Sequence, residues 1–270
     1  MYAKACWASG SKRCISGVQA ASAATGGPGG ILGNKGGLVV KLNFGGTSLA
    51  FVSCHLAAHA PKLEKRNENC QEILEETTSQ IGCKHLDVVS QFDHVFWMGD
   101  LNYRTDLNAA AALASPGTAP PYPEETAHHA AVLKLIEASD WEGLLAADQL
   151  GMCQQRGEAF VGFAEGRARF RPTFKVLRSP EVEYKDQRIP SYRDRVLWKS
   201  MPPLRAHLQQ TSLTTLPGVS TSDHKPVRAP RQRRTRVTPR RQGARRSVRA
   251  RTQRLPRGAR RAAAAGARHL

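Results

Sequence analysis

The run HVFWMGDLNYR, His94 to Arg104, constrains this chain more than any other stretch, because four bulky apolar residues lead into a glycine, a carboxylate, an amide and a guanidinium. Val95, Phe96, Trp97 and Met98 predict a buried strand, and Gly99 lets the backbone turn where a side chain would clash. Alternation along extended chain predicts that Asp100 and Asn102 project to the same side, an acceptor or base beside an amide. That pairing suits activation of a water molecule. A lone G-D-x-N is more simply a strand followed by a turn, so the chemical reading depends on what else the chain supplies.

At 270 residues, 40% of them apolar, the chain is long enough for one large domain with a substantial core. Its formal charge of +18 is concentrated at one end: Arg228 to Leu270 holds sixteen Arg, no Lys and no acid. Residues 1–227 therefore carry only about +2. The apolar pattern stops after Val227, and Arg, Pro, Ala and Gly take over without period. The expected organisation is a folded domain over 1–227 and a disordered basic tail over 228–270. Six cysteines without a C-x-x-C pair or zinc-ligand spacing point to thiols in a reducing compartment, and the expected location is cytoplasmic. No apolar run is long enough to span a bilayer and the first ten residues do not read as a signal peptide, so any membrane contact is expected to be peripheral.

Along the chain, Ala20 to Gly37 is nearly all small residues and predicts a loop with Lys35 as its only charge. Leu38 to Phe44 and Thr47 to Leu56, separated by Gly45-Gly46, predict a β-hairpin with His55 at its exit. Leu63, Cys70, Ile73, Leu74 and Ile81 stand at helical spacing and predict an amphipathic helix over 61–81. The Ala/Pro-rich stretch between Asn108 and Glu125 predicts a surface insertion, followed by short helices over 130–138 and 144–150. Val196 to Trp198 predicts a second core strand with Asp194-Arg195 at its entrance, and Ser222-Asp223-His224 a polar loop before a strand.

Three polar clusters thus stand at strand ends, His55, then Asp100 with Asn102, then Asp223 with His224, a set that could position a water and hold a phosphoryl oxygen. The ordered motifs GNKGG, CHLAAH, FWMGDLNYR, DQL, GFAEG, RPTFK, RIPSYRDRVLW and SDHKPV resemble those of the inositol polyphosphate 5-phosphatase family over roughly Ile15 to Val227. The resemblance implies an α/β fold, the four-layer DNase-like α/β sandwich, incomplete here. It also implies Mg²⁺ as cofactor and phosphoinositide lipids or soluble inositol phosphates as substrates. Within it, Asp100 accepts a proton from the attacking water and Asn102 orients that water. His55 and His224 hold the scissile 5-phosphate, Asp194 fixes His224, and Asp223 with Asp100 stands by the metal. Asn34 and Lys35 of the GNKGG loop, together with Phe174 and Lys175, face the ring phosphates, and Arg104, Arg188 and Arg195 are further anion contacts.

Two departures qualify the resemblance. Where the family places Trp-Cys before the Asp-Arg of its second signature, Tyr192-Arg193 stands here, and Arg193 adds a charge beside Asp194. The family also carries an early Asn and a metal-binding Glu upstream of GNKGG. No acid precedes Glu64, which implies a chain starting about a third of the way into such a domain and weak or absent turnover. Two rival readings are a non-catalytic product and a nucleic-acid phosphodiesterase of the same superfamily. The near-neutral body disfavours nucleic acid as a partner.

Overall fold

The structure is a computed structural model and describes residues 14–25, 34–186 and 188–233. Its centre is a six-stranded mixed sheet. Strands β1 (Ile15–Thr25), β2 (Lys35–Phe44) and β3 (Thr47–His55) form an antiparallel meander. Helix α1 (Leu63–Thr78) crosses over to β4 (His94–Asp100), which lies parallel to β3. Helices α2 (Leu107–Ala114), α3 (Glu125–Glu137), α4 (Trp141–Ala146) and α5 (Gln149–Gln155) follow, then the short β5 (Ala164–Glu165). Strand β6 (Asp194–Ser200) enters antiparallel between β4 and β5. Two small two-stranded sheets complete the described residues: β7 (Leu208–Gln210) with β10 (Arg231–Arg233), and β8 (Thr214–Thr215) with β9 (Val227–Arg228).

The hairpin forms as its sequence dictates, with Gly45 at φ 60° in the two-glycine turn. The loop expected from Ala20 is instead strand as far as Thr25, and strand resumes at Lys35; residues 26–33 lie outside the described residues. Ala21, Ala23 and Thr25 are buried while Ala20, Ser22 and Ala24 are exposed. The period-two alternation of a strand is present, written in residues too small to show it by hydropathy. Smallness has a packing cause. A Cβ on Gly37 would come within 2.8 Å of the Ile73 side chain, so α1 lies close against the meander.

One face of the sheet holds the main core, where Val39, Val52, Val95, Trp97 and Leu197 meet Cys70 and Ile73 of α1 and Leu150 of α5. The indole N–H of Trp97 donates to Cys54 Sγ at 3.0 Å, which satisfies the one polar atom of that fully buried ring. On the other face Phe51 stacks on Phe96 with centroids 5.1 Å apart, and Arg231 lies 4.4 Å over Trp198. The described fold therefore continues past Val227: Arg228 of β9 and all of β10 fall within the segment expected to be tail. Arg231 enters the fold because backbone pairing and guanidinium stacking do not need an apolar side chain. The rest of the expected disordered tail, 234–270, lies outside the described residues. The expected insertion likewise begins as helix, since Asp106 caps α2 by accepting from Ala109 N at 2.9 Å. No helix of the described residues is long and apolar enough to cross a membrane.

Candidate active site

Strands β3, β4 and β6 place their polar ends level with one another, His55 opposite Asp100 and Asp100 opposite Asp194. Neighbouring strands are about 4.8 Å apart, so three residues in lateral register are in reach of one another without any loop to position them. Gly99 makes the close approach possible: its φ is 138°, and an added Cβ would strike the Cys54 carbonyl oxygen of β3.

Asp100 is almost fully buried and is the hub. Its Oδ2 lies 3.2 Å from His55 Nε2 and 4.0 Å from His224 Nε2. Arg193 grips both oxygens, Nε donating to Oδ1 at 3.1 Å and Nη2 to Oδ2 at 2.5 Å, and Asn102 N donates to Oδ1 at 3.1 Å. Burial alone would raise this carboxyl, but the His55 hydrogen bond and the Arg193 charge outweigh it and hold the pKa at about 2.

His224 arrives from the 221–224 loop and is fixed by Asp194, whose Oδ2 accepts from Nδ1 at 2.9 Å and from Thr173 Oγ1 at 2.7 Å. Burial pulls the imidazole pKa down, but the Asp194 hydrogen bond and charge, with Asp100 behind them, carry it above the ordinary value of 6.5. A histidine whose folded pKa is raised stabilises the fold fully below its unfolded pKa and loses that contribution as pH rises through the folded value. The urea midpoint of the wild-type chain should therefore fall as pH rises above about 6.5, and Asp194→Asn should flatten that slope. An equal slope in both proteins would remove the pairing from the account.

Asn102 departs from the expected alternation. The strand ends at Asp100, and at φ 58° Asn102 turns so that its Nδ2 donates to Leu56 O at 3.0 Å while its Oδ1 accepts from Arg104 Nη2 at 3.0 Å. Both ends of its amide are thus engaged by the protein, tying β4 to the exit of β3. Phe174 is buried: its ring lies 3.8 Å beneath the Arg193 guanidinium and 4.8 Å from the His224 ring, so it spaces the two cations.

Of the residues expected to grip ring phosphates, Lys35 and Lys175 are half-buried and their amines have no hydrogen-bond partner among the described residues; Asn34 is exposed. Lys35 stands next to Gly36, which faces His55 across the sheet. Arg104 and Arg188 line a cleft of about 570 Å³ beside the cluster, with His59, Tyr122, Glu125 and His128. That cleft is not lined by His55, Asp100, Asp194 or His224.

Arg195 is not an anion contact. One position beyond Asp194 it points to the opposite face of β6, where its guanidinium donates to Asp148 Oδ2 at 2.8 Å and to Glu165 Oε1 and Oε2 at 2.9 and 2.5 Å. The DQL and GFAEG motifs supply these two acids, and the three form a structural triad in which Arg195 and Asp148 are buried and Glu165 is half-buried.

Three supporting residues escaped the sequence reading. Arg66 of α1 donates to His59 O at 2.7 Å and to Gln149 Oε1 at 2.6 Å, and so shapes the turn after His55. Its signal was an arginine on the buried stripe of the helix, four positions before Cys70. Lys225, fully buried, donates to the carbonyls of Ser179, Pro217 and Val219 and so anchors the loop carrying His224. Thr173 had no signal beyond its motif.

The expected Mg²⁺ ligands were Asp100 and Asp223. No group of three His, Cys, Asp or Glu side chains able to hold a metal occurs among the described residues. Both oxygens of Asp100 are taken by a guanidinium, which leaves the half-buried Asp223 carboxylate with no hydrogen-bond or ion-pair partner among the described residues. A hard divalent ion needs several oxygen donors, so the described side chains as arranged do not fit one, and no step is routed through it.

A mixed sheet with helices packed on it, and an acid–histidine cluster at level strand ends, matches the expected DNase-like α/β fold. The chain belongs to endonuclease/exonuclease/phosphatase family 2, which matches residues 6–230. Among the similar curated proteins, phosphatidylinositol 3,4,5-trisphosphate 5-phosphatase 2B of Danio rerio is 37% identical over 225 residues, 79% of this chain and 16% of that protein. The Homo sapiens phosphatidylinositol 3,4,5-trisphosphate 5-phosphatase 2 is 33% identical over 208 residues, 73% of this chain and 15% of that protein. The chain thus spans about a sixth of the length of these relatives. Among solved structures, the inositol polyphosphate 5-phosphatase domain of SPsynaptojanin, in complex with inositol (1,4)-bisphosphate and calcium ion, is similar at a TM-score of 0.63 and 25% identity. That match covers 81% of this chain and 55% of that domain. The expected 5-phosphatase resemblance is borne out. A Cimex nitrophorin is also similar, at TM-score 0.57 and 19% identity over 83% of this chain and 66% of that one, and shows the fold alone.

Proposed function

We propose that this domain is a phosphoric monoester hydrolase site for the 5-phosphate of inositol phosphates, free in solution or as lipid headgroups. The observation that carries the reading is the Asp100 carboxylate, flanked by His55 and His224, with His224 held by Asp194. His55 keeps 38% of its side chain exposed, so the cluster is open to a ligand. A protonated His224, His55 and Arg193 together offer a phosphate dianion donors and positive charge.

In the proposed reaction, water attacks phosphorus, the bond from phosphorus to the C5 oxygen breaks, and Asp100 takes the proton of the attacking water. The departing oxygen takes a proton from solvent, giving inorganic phosphate and a ring hydroxyl. Lys35 and Lys175 meet the neighbouring ring phosphates. The relatives' names and the bisphosphate bound to the synaptojanin domain, which lacks a 5-phosphate, support this substrate class. Mg²⁺ as the ion for this chain rests on the family resemblance, against the donor set described above. A cytoplasmic location, peripheral to a membrane when the substrate is a lipid, goes with the same reading. The experiment is phosphate release from inositol 1,4,5-trisphosphate, in which only the 5-phosphate should leave.

A further inference from the structure

We propose that Arg193 is a resident cation clamped on Asp100, so that this site captures a phosphate dianion without a divalent metal and holds back its hydrolysis. The inference rests on the 5-phosphate reading above. It arises from the residue at which this chain departs from the Trp-Cys of its family.

The clamp is a built feature. Arg193 is buried, presents its fork to both oxygens of Asp100, and has one face covered by the Phe174 ring at 3.8 Å. A guanidinium fixed on its edge and on its face is pre-organised and cannot swing away without unpairing a buried carboxylate. Phe174 in turn touches His224, so the clamp and the phosphate-holding imidazole share one support.

Two consequences follow. Arg193 supplies next to Asp100 the positive charge that a metal would bring, and a second cation on the same carboxylate would meet it as a like charge. Nη1 of Arg193 makes no hydrogen bond among the described residues and remains to donate to a phosphoryl oxygen. Capture of phosphate is thereby favoured. Hydrolysis is not, because Oδ1 of Asp100 already accepts from Arg193 Nε and Asn102 N, and Oδ2 from Arg193 Nη2 with His55 Nε2 3.2 Å away, which leaves little of the carboxylate free to take a water proton. Tight capture with slow turnover is the outcome.

The test titrates inositol 1,4,5-trisphosphate into the full chain by calorimetry, once in EDTA and once in Mg²⁺, and separately follows Mn²⁺ alone by water-proton relaxation. The wild-type affinity should change by less than about twofold between EDTA and Mg²⁺, and Mn²⁺ should not bind in the millimolar range. Arg193→Cys should make inositol phosphate binding at least about tenfold dependent on Mg²⁺ and should gain Mn²⁺ binding. Wild-type affinity that rises about tenfold with Mg²⁺ would overturn the clamp while leaving the 5-phosphate reading intact. A folded Arg193→Cys that behaves as wild type would overturn it equally. Should Arg193→Cys not fold, the wild-type comparison decides alone. No binding by wild type in either condition would overturn the 5-phosphate reading, and the clamp with it.

Discussion

Asp100→Asn should lower 5-phosphate release by about 10² or more, the scale of a positioned proton acceptor, while affinity for inositol 1,4,5-trisphosphate holds or rises. The two halves of the prediction have one cause. The amide keeps the shape of the carboxylate but cannot accept the proton of the attacking water, and removing a negative charge beside a phosphate dianion favours binding. The substitution also leaves the buried Arg193 without its anion, so folding should be verified by circular dichroism before rates are compared. A loss under about threefold in a folded variant would take Asp100 out of the chemistry. Parallel losses of affinity and rate would make it a structural residue.

Arg195→Met should destabilise the domain by about 3–5 kcal/mol, because it strands the acids of the structural triad on the far face of β6. Asp148 is 2% exposed, and burial already raises its carboxyl above the usual range despite the Arg195 charge. Without the guanidinium it must take up a proton or drag water inward. The same carboxylate caps α5 through Gly151 N at 3.2 Å, so that helix should loosen as well. Inositol phosphate affinity of the folded fraction should stay within about twofold of wild type, since the triad faces away from Asp100. Urea denaturation and calorimetric titration of one preparation check both halves. A stable variant with lost affinity would return Arg195 to the binding site.

The two arginines show what was legible in the sequence. Asp194 and Arg195 are neighbours in a motif read as one functional unit, yet strand parity sends one to the site and the other to a structural triad. Parity was known only once Asp194 was fixed as the first residue of β6. The hairpin and α1 were legible from β-rich runs about a turn and from helical spacing, and β4 and β6 from short continuous apolar runs. Strand β1 was not, since its buried positions are alanines and a threonine, small enough for α1 to approach. His55, Asp100 and His224 were found from their places at strand ends and Asp194 from the family resemblance, and the structure brings all four together. The grip of Arg193 on Asp100 lay beyond sequence reasoning. It joins residues 93 positions apart through a turn outside β6, and sequence showed only an added charge beside Asp194.

The central claim is that the ends of β3, β4 and β6 form a site for the 5-phosphate of an inositol ring, and ³¹P nuclear magnetic resonance of inositol 1,4,5-trisphosphate incubated with the chain tests it most directly. The account predicts that only the 5-phosphate resonance decays, slowly in wild type and faster in Arg193→Cys, with inositol 1,4-bisphosphate and inorganic phosphate as the products. Loss of the 1- or 4-phosphate, or no release by either protein, would contradict it.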